Sequence, residues 1–374
     1  MAAIRRAIGL MSGTSMDGID IALVETDGEA HVQAGPSGFF AYDEAFRKRI
    51  EAGLAEAAQI TARDERPGSL AELETDLTRR HGEALAEFIS ANGISQEAID
   101  VIGFHGQTML HRPAQALTVQ IGDGALLRQL AGIPVVYDMR ANDMAHGGQG
   151  APLVPAYHQA LAARVPAELS RGRPVVFVNI GGISNITIVA PSAAPIAFDT
   201  GPGNGLIDQW VAARAGMAYD AGGTIAGSGH VVASIVAHYL AKPFFELKPP
   251  KSLDRADFTL DDLGEVPLAD GARTLARITA DAILKGASHA PEQPSLWIIC
   301  GGGRKNAVIM ADLTASAGAM GMQVAAAEEL GFNGDSMEAE AWAYLAVRSL
   351  AGLPLTWPST TGCSAPVSGG VLIG

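Results

Sequence analysis

Cysteine is almost missing from this chain: two residues in 374, Cys300 and Cys363, far apart and in no disulfide or metal-ligand spacing. That excludes a disulfide-stapled scaffold and a cysteine-ligated zinc site, and implies two buried thiols in a reducing compartment. Positive charge is also short, with 26 Lys and Arg against 40 Asp and Glu and a net charge of −14. A protein that tracks a nucleic-acid backbone presents a basic face, so no nucleic-acid partner is expected and any phosphate must be held by local groups. Long apolar runs are absent as well; none approaches the ~20 residues that span a bilayer. The opening "MAAIRRAIGLMSG" pairs two arginines with an apolar run, but that run ends at Ser12 and Asp17 soon follows, too short for a secretory signal. A cytoplasmic protein with no membrane partner is expected.

What is present is apolar substance and tight turns: 48% hydrophobic residues, 44 Gly and 20 Pro. At this length two domains, or one architecture used twice, are the natural expectation. Residues 4–11 and 19–25 read as strands around "MDG", whose Asp-Gly favours a hairpin. Ser69 followed by Glu72 reads as a capping box, and Leu70, Leu73, Leu77, Leu85 and Phe88 recur at helical spacing up to Asn92–Gly93. Then come a buried strand "DVIGFHG", a strand–turn–helix "LTVQIGDGALLRQLAG" and another strand "IPVVYDM". This alternation predicts an α/β fold. The Gly- and Pro-rich piece Arg140–Leu161 separates a second block, "RPVVFVNIGGISNITIVA", which looks like the opening hairpin used again. The expected domains are therefore 1–140, with 353–374 returning to it, and 141–352; helices are expected at 270–286 and 338–350, and a strand-poor insertion around 222–262.

Four stretches could carry chemistry. In "SGTSMDG" the glycines Gly13 and Gly18 permit close backbone approach, and Thr14 and Ser15 add hydroxyl donors, so the loop could surround phosphate oxygens. Asp17 or Asp20 could hold magnesium through water. In "NIGGISN", Gly181 and Gly182 could present amides to a ligand, so that two such hairpins clamp a triphosphate. Ordinary turns select the same residues. In "CGGGRKN", Gly301, Gly302 and Gly303 leave room for a flat ring or a phosphate near a helix N-terminus; neither a dinucleotide fingerprint nor a P-loop is present. In "FDTGPGNGLID", Asp199 ends an apolar strand before a Gly/Pro loop and could act as a base, or could simply cap the next helix. His105 and His111 lack zinc-site spacing and could line a polar pocket with Gln107 and Thr108. Arg140 could hold a carboxylate or phosphate, and of Glu338 and Glu340 at least one should be structural. The lysines of "KPPKSLDR" read as solvent-facing.

Two glycine hairpins and a late strand–Gly–helix turn make up the layout of the actin-like (ribonuclease H-like) ATPase and sugar kinase superfamily, two α/β domains around a central cleft. Within it, "GLMSGTSMDGID", "FHGQTMLHRP", "QIGD", "DMRANDMAHGGQGAPLVP", "NIGGISNIT", "FDTGPGN" and "CGGGRKN" together resemble the anhydro-N-acetylmuramic acid kinase family from Gly9 to about Glu340. The resemblance implies hydrolytic opening of 1,6-anhydro-N-acetylmuramic acid with ATP-dependent phosphorylation of O6, in a cytoplasmic homodimer using ATP and Mg2+. It implies ATP contacts from Ser12, Gly13, Thr14, Ser15, Met16, Asp17, Gly18 and Ile19, from Gly181 and Gly182, and from Gly301, Gly302 and Gly303. Asp199 would be the catalytic base; His105, Gln107, Arg140 and Glu338 would hold the sugar, and Asp17 would reach the metal through water. Two other readings stay open: a kinase of an ordinary hexose hydroxyl, and an ATP-driven switch or filament module.

Overall fold

A computed structural model describes residues 3–253 and 257–374, so Asp254 and Arg255 of the "KPPKSLDR" segment lie outside the described residues. The chain divides into two units, one running up to Ala163 and resuming at Ser336–Gly374, the other Arg164–Asp335.

The first unit carries β1 (Arg5–Ser12), β2 (Gly18–Thr26), β3 (Val32–Ala41), β4 (Val101–Arg112), β5 (Leu117–Ile121) and β6 (Val135–Tyr137); the second carries β7 (Val175–Ile180), β8 (Ile183–Val189), β9 (Ile196–Pro202), β10 (Leu296–Cys300) and β11 (Gln323–Ala326). A last strand, β12 (Val371–Ile373), returns to the first unit and pairs antiparallel with β6. The first sheet has the order β12-β6-β4-β1-β2-β3, with β5 folded back on β4. The second has the order β11-β10-β7-β8-β9. In both, three antiparallel strands are followed by two that run parallel to the first of them. That 3-2-1-4-5 arrangement, used twice, is the duplicated ribonuclease H-like architecture the motifs implied.

The first boundary falls later than the sequence indicates, at 163 rather than 140, and the second falls earlier, at 335 rather than 352. The cause is the helix Met337–Leu350. Gly9 of β1 and Gly103 of β4 are register partners. A Cβ on Gly9 would strike the Ala339 carbonyl, and one on Gly103 the Trp342 carbonyl. Two glycines thus form the seat on which the helix backbone rests, with Ala339, Ala343 and Ala346 buried along the seam. Close approach of this kind removes apolar surface from water that a larger side chain would hold apart. The helix Pro155–Ala162 joins the same unit: the Tyr157 hydroxyl donates to Glu340 at 2.7 Å, and its ring lies 5.4 Å from that of Tyr344.

The helix Leu70–Ala91 forms where the apolar spacing puts it, with Leu70, Leu73, Leu77, Leu85 and Phe88 all buried. Its expected capping box does not form. Ser69 makes no side-chain cap and instead donates its hydroxyl to Glu56 at 3.0 Å. In the second unit the helix Leu268–Lys285 is the spine of the core, packed so closely that a Cβ on Gly271 would meet the Trp210 indole. Among the described residues no strand occurs between Pro202 and Leu296, a span that contains the strand-poor stretch expected around 222–262. No helix among the described residues is long and apolar enough to cross a membrane.

Candidate active site

The first hairpin turn is built by Gly13–Asp17, not by the expected Asp-Gly pair. Met16 holds the left-handed conformation (φ 55°), its amide donates to the Gly13 carbonyl at 3.2 Å, and Ser15 donates to Asp17 at 2.6 Å. Thr14, Ser15 and Asp17 stay exposed. Ser12 does not: its buried hydroxyl donates to Gln107 at 2.6 Å and accepts from Tyr42 at 3.0 Å. Gln107 in turn donates to the Gly13 carbonyl at 3.1 Å. Ser12 and Gln107, expected at the ligand, are braces that hold the loop in shape. The side chains of Met16 and Ile19 belong to apolar clusters, so only their backbones could meet a nucleotide.

His105, Arg140 and Glu338 do share one environment. His105 is buried, with Nδ1 3.0 Å from the Ser12 carbonyl and Nε2 3.2 Å from an Arg140 Nη. A carbonyl only accepts, so Nδ1 carries the proton and Nε2 accepts from the guanidinium. Burial, reinforced by Arg140, lowers the imidazole to about 3, which keeps it neutral. Arg140 donates from Nη1 to the Gly150 carbonyl at 2.9 Å, lies 5.5 Å from the centre of the Trp342 ring, and has a buried Nε without a partner among the described residues. Burial draws its pKa down to about 10, against the charges of Glu338 and Asp143, so it remains a cation at neutral pH. The Glu338 carboxyl is raised above its ordinary range because desolvation exceeds the pull of Arg140. The two glutamates differ in their contacts. Glu340 is buried and accepts from Tyr157 and from Ser336 at 3.0 Å, bonds in which Glu338 takes no part. His111 stands apart, against the Thr118 hydroxyl at 3.1 Å.

Beside His105 lies a cavity of about 260 Å3 whose lining includes Arg63, Arg66, Gln120, Tyr137 and Asp138. None of these was singled out by the sequence, because they come from separate strands and loops, with Gln120 on β5 and Tyr137 on β6, whose shared feature is spatial. Arg63 pairs with Asp138 at 2.5 Å, Arg66 holds Glu74 through two bonds of 2.9 Å, and the buried Gln120 Oε1 has no donor among the described residues.

In the second unit the turn Gly181–Gly182 is open on its outer side: a Cβ on Gly182 would meet nothing. On its inner side its carbonyls accept from Gly203, Asn204 and Gly205 at 3.0, 2.7 and 3.1 Å. The hairpin is thereby joined to the start of the helix Gly205–Ala215. The three glycines after β10 have different reasons to be glycine. Gly301 has φ 72° and no space beside Asn179, Gly303 presses on Ile180, and only Gly302 faces open space. Gly302 borders a cavity of about 340 Å3 with Asn204, Asp208, Tyr219, Asp220, Lys305 and Asn306. Asn204 and Asp208 are one helical turn apart in "GNGLID", a signal the sequence did carry. The helix Ala307–Ala319 offers fewer free donors than expected, since Asn306 caps Val308 and Ile309 itself at 3.0 and 3.3 Å.

Asp199 sits on β9 between Phe198 and Thr200, which point to the opposite face. Its amide donates to the Lys251 carbonyl at 3.0 Å and its Oδ2 accepts from the Leu253 amide at 2.8 Å. It does not cap the following helix. Burial raises the carboxyl to about 6, and the Leu253 N–H partly offsets that. Lys251, expected in solvent, is buried.

A duplicated ribonuclease H-like fold with a glycine hairpin in each half, a nucleoside-sized cavity behind a Gly turn and a raised carboxylate defines an ATP-dependent kinase of the actin-like class. A family model described as anhydro-N-acetylmuramic acid kinase matches residues 5–373. The chain is 58% identical over 373 residues to an anhydro-N-acetylmuramic acid kinase of Agrobacterium fabrum, covering 100% of both. It is 58% identical over 371 residues to one of Brucella canis, covering 99% of both. The chain belongs to the anhydro-N-acetylmuramic acid kinase family. Among solved structures it is similar to a ROK-family glucokinase from Streptomyces griseus in complex with glucose and AMPPNP, at 14% identity and TM-score 0.44, over 91% of this chain and 98% of that one.

Proposed function

We propose that this enzyme opens the 1,6-anhydro ring of 1,6-anhydro-N-acetylmuramic acid with water and transfers the γ-phosphoryl group of ATP to O6, giving N-acetylmuramic acid 6-phosphate and ADP in peptidoglycan recycling. The observation that carries the reading is Asp199: a half-buried carboxylate, anchored by the Leu253 amide and raised to about 6, close to where a general base works at neutral pH. Asp199 takes a proton from water as the water oxygen attacks C1. The C1–O6 bond breaks, O6 bonds to the γ-phosphorus, and the bond from that phosphorus to the β-γ bridging oxygen breaks to release ADP. Inverting glycosidases need an acid to protonate the leaving oxygen; here the phosphoryl group captures it, so one carboxylate suffices.

Arg140, with its free Nε, and Glu338 are assigned to the sugar, with neutral His105 fixing the guanidinium. The Gly13–Gly18 and Gly181–Gly182 backbones and the Thr14 and Ser15 hydroxyls are assigned to the phosphates, and the cavity beside Gly302 to the nucleoside. Among the described residues no three His, Cys, Asp or Glu side chains gather into a metal cage. The residues present fit a magnesium ion carried on the triphosphate through water, with the exposed Asp17 as its carboxylate. Such an ion would neutralise charge on the phosphate oxygens. A cytoplasmic homodimer completes the reading, to be checked by sedimentation and cell fractionation.

The test is ADP release with magnesium-ATP in the presence of the anhydro sugar, of reducing N-acetylmuramic acid, or of no sugar. Release with the anhydro sugar alone, with solvent oxygen at C1 of the product, is expected. Release with the reducing sugar alone would indicate an ordinary hexose kinase, and release without sugar an ATP-driven switch.

A further inference from the structure

Lys251 lies beside Asp199 and has no part in the chemistry proposed above. It is 8% exposed, and among the described residues no carboxylate lies within salt-bridge distance of it. Its ammonium donates to the Phe244 carbonyl at 3.1 Å and lies 4.6 Å from the centre of the Phe244 ring and 5.6 Å from that of Phe198. A buried ammonium held by a carbonyl and two aromatic faces keeps its charge at a desolvation cost that a surface lysine avoids. The residue is also bonded to β9 through its own carbonyl, which accepts the Asp199 amide, and two residues on, Leu253 donates to the Asp199 carboxylate. Side chain and backbone thus grip opposite faces of one strand: the ammonium lies against Phe198 while the segment it anchors reaches Asp199.

Resting on the assignment of Asp199 as base, we propose that Lys251 is a positioning residue: its caged ammonium anchors the 251–253 segment so that the Leu253 N–H holds the Asp199 carboxylate in register. The other charged or titratable groups around the cage are Lys285 and His289, which border the same small cavity, and Glu246; burial and then the Lys285 charge lower the Lys251 pKa, and the Glu246 charge opposes them. Lys285 is exposed and, among the described residues, makes no hydrogen bond to the 251–253 segment, which makes it the control.

The experiment compares the full-length protein with Lys251→Met, which keeps the apolar stem and deletes the charge, and with Lys285→Met. Amide hydrogen exchange without substrates comes first. In Lys251→Met the Asp199 and Leu253 amides should lose protection while the Leu268–Lys285 helix keeps it, and Lys285→Met should match wild type. In steady state, Lys251→Met should lose about tenfold in kcat with little change in KM. The acid limb of its pH profile should move upward, because the carboxylate has lost a stabilising donor. Wild-type protection at both amides with an unmoved acid limb would overturn the proposal, as would loss of protection spread over the whole second unit. The exchange readout does not depend on the reaction, so a wild-type enzyme that failed to hydrolyse the anhydro sugar would overturn the function and leave the lysine's role to be judged by exchange.

Discussion

The two hairpins show how one topology can be put to two kinds of work. In the first unit the connection between the first two strands is a five-residue loop, braced from below by Ser12, Gln107 and Tyr42, with its hydroxyls outside. In the second it is a two-glycine turn whose carbonyls are bonded to the Gly203–Gly205 segment and whose outer side is bare. The first is positioned by buried side chains and offers polar side chains; the second is positioned by backbone and offers only backbone. Similar glycine-rich strings therefore carry different sensitivities to mutation.

The largest expected effect is at the base. Asp199→Asn should reduce kcat by about 10³-fold or more, while calorimetric binding of ATP and of the anhydro sugar stays within a few-fold of wild type. A mutant with near-normal turnover would refute the assignment. Next come the packed glycines. Gly103→Val would force the helix Met337–Leu350 off its seat and should cost about 3 kcal/mol or more, read as a lowered denaturation midpoint. Gly203→Ala, which drives a methyl into the Gly181 carbonyl, should destabilise the second unit. Gly182→Ala, which meets no protein atom, should leave stability unchanged and raise the KM for ATP instead.

The two glutamates sharpen the contrast within one helical turn. Glu338→Gln should raise the KM for the sugar about tenfold with an unchanged melting temperature. Glu340→Gln should lower stability by about 1–2 kcal/mol through the Tyr157 and Ser336 bonds without moving that KM. If the effects exchanged places, the choice between them would be wrong.

The smallest effects concern pH. With Asp199 raised to about 6, kcat should fall as the medium is acidified through that value. The stability consequence has the opposite sense. A carboxyl whose folded pKa is raised contributes stability fully below its unfolded value of 3.8, and that contribution is lost as pH rises through about 6. Asp199→Asn should therefore melt at least about 2 °C above wild type at pH 8, and the difference should vanish near pH 4. A constant difference across that range would mean that the base is not desolvated in the free enzyme.

Much of this protein was legible in its sequence. Apolar runs interrupted by glycine placed the strands of both hairpins, helical spacing placed Leu70–Ala91, Leu268–Lys285 and Met337–Leu350, and Asp199 was visible as an acid ending an apolar strand. These features depend on periodicity and on local steric rules, which act over a few residues. Only the tertiary structure decided the rest. That Met337–Leu350 belongs with β1 and β4 follows from Gly9 and Gly103 meeting across two strands nearly a hundred residues apart in sequence. That Ser12 and Gln107 are braces, Glu340 a buried support and Lys251 an anchor follows from which partners the fold brings within hydrogen-bonding reach. A side chain's identity states what it can donate, accept or bury; only packing states to whom.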